Sequence, residues 1–289
     1  MQSLRGQVAV VTGASRGIGK GVALGLGEAG ATVYVTGRTV EPNSGPDGLP
    51  GSITETAAAV TALGGRGVPF YCDHRNDQET EVVFSRILGE CSKIDVLVNA
   101  VWGGYERMVE GGAYTWNRPF WHQPYWRWDS MFAAGVRAHY VSSAIAARFM
   151  VARKTGLIVN ISYWAGQKYM GNTAYGVAMA ATDRLTAYTA HELRDFNVAV
   201  VALYPGLART EAMLRFADKV DLSSSESPQF SGRAVVGMAT DPKILDKTGR
   251  AFAVADLARE YGFADVDGKQ PRPVQVADAW VIDPLATGR

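Results

Sequence analysis

The 289-residue chain carries 29 Lys+Arg against 28 Asp+Glu, and a net charge of +1 with no run of like charges excludes a basic face for nucleic acid or anionic lipid. With 47% hydrophobic and 20% charged residues the composition is that of a globular protein, which excludes general disorder. The two cysteines, Cys72 and Cys91, have no metal-ligand spacing, the start MQSLRGQVAVVTG is too polar for a signal peptide, and no apolar run nears the roughly 18 residues of a membrane helix; a cytoplasmic protein without metal or membrane span is expected.

Seven short apolar runs follow in chain order: QVAVVT (7–12), TVYVT (32–36), GVPFYC (67–72), IDVLVN (94–99), GLIVNIS (156–162), VAVVALYP (198–205) and GRAFAVA (249–255). Most are rich in Val, Ile and Leu without alternation, the pattern of parallel strands covered on both faces. Between the first two lies RGIGKGVALGLGEAG, and between the next two SITETAAAVTALGG, which opens on a capping box of Ser52 and Glu55 and closes on Gly64 and Gly65. Strand alternating with helix predicts an α/β fold, a doubly wound Rossmann-type parallel seven-stranded sheet in one domain over residues 1–289. Two stretches break the rhythm: 39–51, rich in Pro and Gly, reads as a surface loop, and 213–248 is mixed, with Asp241-Pro242 suggesting a short capped helix.

The first strand runs straight into Thr12-Gly13-Ala14-Ser15-Arg16-Gly17-Ile18-Gly19 and then a helix. Glycines there allow a tight turn, let the backbone approach a pyrophosphate and let the helix pack closely on the sheet, so this is a dinucleotide site. An acid at the end of the second strand selects NAD; this chain has Gly37 and Arg38 there, with Arg16 in the glycine turn. Two guanidinium groups without a carboxylate predict the 2′-phosphate of NADP.

Further along stand Asp95-Val-Leu-Val-Asn99, a Tyr175 opening a helix of small residues, and Pro205-Gly206 with Thr210 after the sixth strand. With the glycine turn these motifs, in this order, resemble the short-chain dehydrogenase/reductase family over a core of residues 6–256. ESPQFSGRAVVGMATDP (226–242) and DLAREYGFADVDG (256–268) resemble its dehydrogenase/reductase member 1 subgroup, with 257–289 as a C-terminal extension. The resemblance implies an oxidoreductase that forms a homodimer or homotetramer, with Asp73 and His74 near the adenine, Asn99 near the adenosine ribose, and Pro205, Gly206, Leu207 and Thr210 near the nicotinamide amide. It also implies a relay of Asn, Ser, Tyr and Lys, in which tyrosine exchanges a proton with the substrate oxygen and lysine lowers the tyrosine pKa.

Of those four only Tyr175 stands in its expected place. Met179 occupies the lysine position one helical turn later, Tyr163 the serine position, and Gly135 the asparagine position; Ser162, one residue before Tyr163, faces the other side of the strand. Without an ammonium nearby, Tyr175 stays closer to a free phenol's pKa of about 10, so the phenolate base for alcohol oxidation is scarce while proton donation during carbonyl reduction survives. Lys168 and His139 are the candidates for a replacement cation, against a solvated lysine and a packed histidine.

Residues 100–128 join the fourth strand to the next helix and hold Trp102, Tyr105, Trp116, Trp121 and Trp126 among other aromatics; they line a pocket for an apolar carbonyl or alcohol substrate, or else bury one another or form a subunit contact. A flap is expected over 211–232. Two readings follow: an NADPH-dependent reductase of a lipophilic carbonyl compound with a weakened relay, and an NADP-binding protein of the same fold that has lost turnover.

Overall fold

The computed structural model describes residues 3–45, 48–111 and 113–273. In chain order the elements are β1 (Val8–Thr12), α1 (Gly17–Glu28), β2 (Thr32–Gly37), α2 (Ile53–Ala62), β3 (Arg66–Tyr71), α3 (Asp77–Cys91) and β4 (Val96–Asn99). A small hairpin of β5 (Val109–Glu110) and β6 (Ala113–Tyr114) follows, then α4 (Tyr125–Ser130), a π-helical stretch Met131–Arg137 and α5 (Ala138–Arg153). The remainder comprises β7 (Gly156–Ile161), α6 (Thr173–Leu193), β8 (Val198–Tyr204), α7 (Glu211–Leu214), α8 (Pro228–Thr240), β9 (Ala251–Ala253) and α9 (Val254–Tyr261).

Seven strands form one parallel sheet in the order β3-β2-β1-β4-β7-β8-β9. All seven apolar runs of the sequence are its strands. The order reverses between β1 and β4, and the crevice above their carboxyl ends is where such sheets take a dinucleotide. In the inner strands alternate residues are buried on opposite faces, which explains why those runs do not alternate with polar residues. Val11, Val35, Val98, Val159 and Val201 pack under α1, α2 and α8, while Val10, Tyr34, Leu97, Ile158 and Val200 pack under α3, α5 and α6.

Local signals set the helix ends. Ser52 Oγ accepts from Glu55 N–H at 3.1 Å and donates to the Glu55 carboxylate at 3.1 Å, and Gly64 turns the chain out with φ +102°. Helices α1 and α8 pack almost backbone to backbone. A Cβ at Gly21 would stand 2.1 Å from the Pro228 carbonyl carbon, so that contact requires glycine.

Three expectations shift. Residues 100–128 are not a plain loop but carry the β5–β6 hairpin and α4. Residues 228–232 of the span expected as a flap, 211–232, belong to α8, which Pro228 starts after Asp265 accepts the Ser227 N–H at 2.7 Å. The core boundary at 256 falls inside α9, and after it residues up to 273 are described; the rest of the expected C-terminal extension, 274–289, lies outside the described residues. Asp241-Pro242 leads into the short 3-10 turn Ile244–Lys247, in line with the expected short helix. No described helix is long and apolar enough to cross a membrane, and among the described residues no cluster of His, Cys, Asp or Glu has metal-site geometry.

Candidate active site

The glycine turn is shaped for close approach. Gly13 has φ +68°, and a Cβ there would stand 2.7 Å from Val101 Cα; a Cβ at Gly19 would stand 2.4 Å from Gly13 O. The N–H of Gly17, at the start of α1, donates to Glu211 Oε2 at 2.7 Å, and Lys20 Nζ lies 3.7 Å from the same carboxylate. An anion of the chain itself therefore sits on this helix N-terminus, the place a pyrophosphate takes in a dinucleotide fold, so the residues present fit that group. Ser15 is buried beside Gly51, and Ile18 packs against the core.

The two arginines divide the work. Arg16 braces the 39–51 loop, donating to Pro50 O at 3.0 Å, Gly51 O at 2.9 Å and Thr39 Oγ1 at 3.2 Å. Arg38 is exposed at the end of β2, and its charge reaches both Arg16 and Asp73. Asp73 itself is held below the usual carboxylate range chiefly by its hydrogen bonds from Arg75.

Two strand-end residues turn inward. The His74 ring is buried between Thr36 Oγ1 at 2.7 Å and Thr80, and burial pushes it down to about 4, so it is a neutral structural group. Asn99 Nδ2 donates to Asn160 Oδ1 at 2.8 Å and Ser143 Oγ at 2.9 Å, tying β4 to β7 and α5, and its Oδ1 is buried without a partner. Pro205, Gly206 and Leu207 continue from β8 toward α7, and Thr210 caps α7 by accepting from Met213 N–H at 3.2 Å while lying next to Gly17.

Asn172 caps α6 by accepting the Tyr175 N–H at 3.0 Å, which sets the first turn of the helix. Tyr175, Met179 and Asp183 then follow at intervals of four and share one face. The Tyr175 ring is 8% exposed, walled by Trp102, Trp116, Tyr105 and Tyr163 with centroid distances of 5.7, 5.4, 6.0 and 6.2 Å. Burial raises its pKa well above the ordinary value, and the neighbouring Tyr105 and Tyr163 push the same way; none of these groups is a cation. Tyr175 is a neutral phenol.

Met179 is 4% exposed and packs into the same aromatic cluster. Its sulfur lies 3.7 Å from Ser162 Oγ, which faces α6 and donates to Asp183 Oδ1 at 2.7 Å. Tyr204 OH donates to the other oxygen of Asp183, and Gln167 bonds Tyr204 OH at 3.0 Å. Ser162 is thus committed to a buried network beneath Met179, and Tyr163 alone represents this strand end at Tyr175. His139 does not replace the lysine: it is buried against Val101 O and pushed down to about 4, hence neutral, while Lys168 is half-buried in the stretch before α6, its backbone N–H donating to Trp164 O at 2.9 Å. Gly135 lies in the π-helical stretch, where a Cβ would stand 2.7 Å from the Trp102 ring, so the indole fills the space an asparagine side chain needs.

The aromatics of 100–128 split into two groups. Trp102, Tyr105 and Trp116 enclose Tyr175, whereas Phe120, Trp121 and Tyr125 are 65%, 67% and 90% exposed. Arg127, fully buried, holds the segment together by donating to Thr115 Oγ1 at 2.9 Å and to Arg107 O at 3.3 Å. Tyr105 as a partner of Tyr175 and Asp183 beneath Met179 were not anticipated; the spacing of Asp183, eight residues after Tyr175, is the signal that places it on the same face.

Residues 7–220 match the family model for short chain dehydrogenase. The chain is 43% identical over 286 residues to dehydrogenase/reductase SDR family member 1 of Mus musculus and 41% identical over 286 residues to that of Homo sapiens; each match covers 94% of this chain and 86% of the relative. A metagenomic short-chain oxidoreductase solved in complex with NADP superposes with a TM-score of 0.67 at 28% identity, over 87% of this chain and 97% of that one. A short chain dehydrogenase of Mycobacterium thermoresistibile shares the fold with a TM-score of 0.78 at 24% identity, over 99% of both chains. With a Rossmann-type sheet, a glycine turn at its switch point and a tyrosine at the head of α6, the chain belongs to the short-chain dehydrogenase/reductase family of oxidoreductases.

Proposed function

We propose that the protein is an NADPH-dependent reductase of a lipophilic carbonyl compound. The observation that carries this reading is the neutral, buried Tyr175 phenol at the nicotinamide end of the crevice: it is able to give a proton and unsuited to take one. NADPH, when bound, supplies the hydride. Gly13, Ser15, Gly17, Ile18 and Gly19 receive the pyrophosphate on backbone N–H groups and the α1 N-terminus. Arg38, backed by Arg16, takes the 2′-phosphate, and Asp73, His74 and Asn99 shape the floor under the adenosine. Pro205, Gly206, Leu207 and Thr210 flank the nicotinamide. Tyr175 protonates the substrate oxygen as negative charge grows on it, with Tyr105 holding the phenol in place and Tyr163 beside it in the serine position. Met179 keeps the floor apolar, so turnover is slow. The protein works in the cytoplasm as a homodimer or homotetramer; an exposed apolar groove of about 580 Å³ lined by Trp128, Phe132, Val136, Tyr140 and Leu185 supports such an assembly.

A second reading, an NADP-binding protein without turnover, is supported by the walls of Trp102, Tyr105 and Trp116 around Tyr175. One experiment separates the two: turnover of a panel of aromatic aldehydes and ketones with NADPH, alongside cofactor binding followed by NADPH fluorescence. The reductase reading expects turnover that drops by about a hundredfold or more in Tyr175→Phe with NADPH affinity retained. Binding without turnover, restored by Met179→Lys, selects the second reading. Equal losses of NADPH and NADH binding in Arg38→Asp sink the choice of NADP.

A further inference from the structure

Glu226, in the turn before α8, is 2% exposed, and its Oε1 is buried without a hydrogen-bond partner. Its backbone is stitched to the strand-end loop on both sides: Glu226 N–H donates to Leu207 O at 2.9 Å, and Arg209 N–H donates to Glu226 O at 2.8 Å. The side chain turns back onto the same loop. Oε2 lies so close to Gly206 that a Cβ there would come within 2.6 Å of it, and the Gly206 N–H dipole opposes the effect of burial on the carboxyl. The carboxyl is also near enough to Tyr163 to raise its pKa, after burial itself. Glu226 therefore lies between β8 and the Tyr175 pocket. A dinucleotide whose adenosine half lies over β2 and Arg38 places its nicotinamide half on this side of the switch point.

We propose that Glu226 is a cofactor-contacting residue: its carboxyl, packed on Gly206 and held by the backbone bonds to Leu207 and Arg209, offers the unpartnered Oε1 to the carboxamide of the nicotinamide. A lone buried carboxyl oxygen is costly to leave unpaired, and a primary amide can meet it in either form, its N–H donating to a carbonyl Oε1 or its C=O accepting from a hydroxyl Oε1. Burial pushes Glu226 up to about 8, against the opposing Gly206 N–H, so it is neutral at physiological pH. The groups facing it are Tyr163, Asp265 and Arg209. Arg209 is engaged by Ser225 and Asp265, and Asp265 by Ser227, while Tyr163 is raised above the ordinary tyrosine value, so the pH window from 7 to 9.5 is chosen to span the Glu226 value.

The inference rests on the NADP reading, and the probes keep the two apart. Binding of NADPH and of 2′-phospho-ADP-ribose, which lacks the nicotinamide, is measured calorimetrically at pH 7 and pH 9.5 for the wild type, Glu226→Gln and Glu226→Leu. At pH 7, Glu226→Leu is expected to weaken NADPH about tenfold and leave 2′-phospho-ADP-ribose unchanged, while Glu226→Gln stays within about twofold of the wild type for both. Wild-type affinity for NADPH, but not for the truncated ligand, is expected to fall severalfold at pH 9.5, and Glu226→Gln to abolish that fall. Equal effects on both ligands, or none on NADPH, overturn the assignment. If 2′-phospho-ADP-ribose binds normally and NADPH shows no Glu226 dependence, the NADP reading stands and only the proposal fails; a wild type that binds neither ligand ends both.

Discussion

The turn after β1 and the inner face of α6 lie on the same edge of one sheet, yet they are built by different means. The turn is made of backbone N–H groups and a helix end, so its requirement is for missing side chains: Gly13 and Gly19 leave no room for a Cβ. The α6 face works through side chains, and there each group is placed by its packing and hydrogen bonds. Ser162 turns to Asp183, Met179 joins the aromatic cluster, and Trp102 fills the space beside Gly135. A binding function carried by backbone shape is robust to side-chain change around it, whereas a proton relay lasts only as long as each of its members.

The sharpest way to break this contrast is to put one methyl group into the turn. Gly13→Ala forces a Cβ to within 2.7 Å of Val101 Cα at a φ of +68° that alanine rarely adopts. A loss of about 3 kcal/mol in unfolding free energy is expected, with NADPH binding abolished. Chemical denaturation and NADPH fluorescence titration check it; a variant of unchanged stability and affinity shows that the turn is not backbone-determined.

A mid-sized effect is expected beneath α6. Burial raises Asp183 from its ordinary 3.8 to about 6, against the opposing hydrogen bonds from Tyr204 and Ser162. A carboxyl whose folded pKa is raised stabilises the fold below the unfolded pKa, and that contribution is lost as pH climbs from about 4 to about 6. Asp183→Asn stays neutral throughout, so relative to the wild type it should gain about 3 kcal/mol between pH 4 and pH 7. Urea unfolding of the pair across that range reads the difference, and a constant gap means that the Asp183 pKa is the same in the folded and unfolded chain.

Much of this molecule is legible in the sequence, for reasons that follow the same contrast. The seven strands declared themselves because both faces of a parallel strand are buried, and the glycine turn because steric need leaves only one residue type. Met179, Tyr163 and Gly135 were readable as departures, since a resemblance fixes the positions to inspect. What could not be read was how the neighbours respond. Tyr105 reaching Tyr175, Trp102 seated on Gly135 and His74 turning inward to Thr36 depend on rotamers and packing between segments far apart in the chain, for which no local pattern exists. The hairpin within 100–128 escaped for a related reason: two-residue strands held by a buried Arg127 leave no periodicity.

The smallest expected effect tests whether the turn is as ready for an anion as its backbone suggests. Glu211 Oε2 accepts the Gly17 N–H at 2.7 Å, so a carboxylate of α7 competes for the helix end that the pyrophosphate needs. Binding then includes the cost of displacing that carboxylate, together with its interaction with Lys20. Removing one charge from a helix N-terminus is worth about 0.3–1 kcal/mol, so Glu211→Gln should tighten NADPH by about twofold to fivefold. The same gain should appear for inorganic pyrophosphate, which shares only the anion, and raised ionic strength should shrink it. If affinity falls instead, Glu211 is part of the binding surface rather than its competitor, because the carboxylate then helps to hold α7 against the turn while the cofactor is bound.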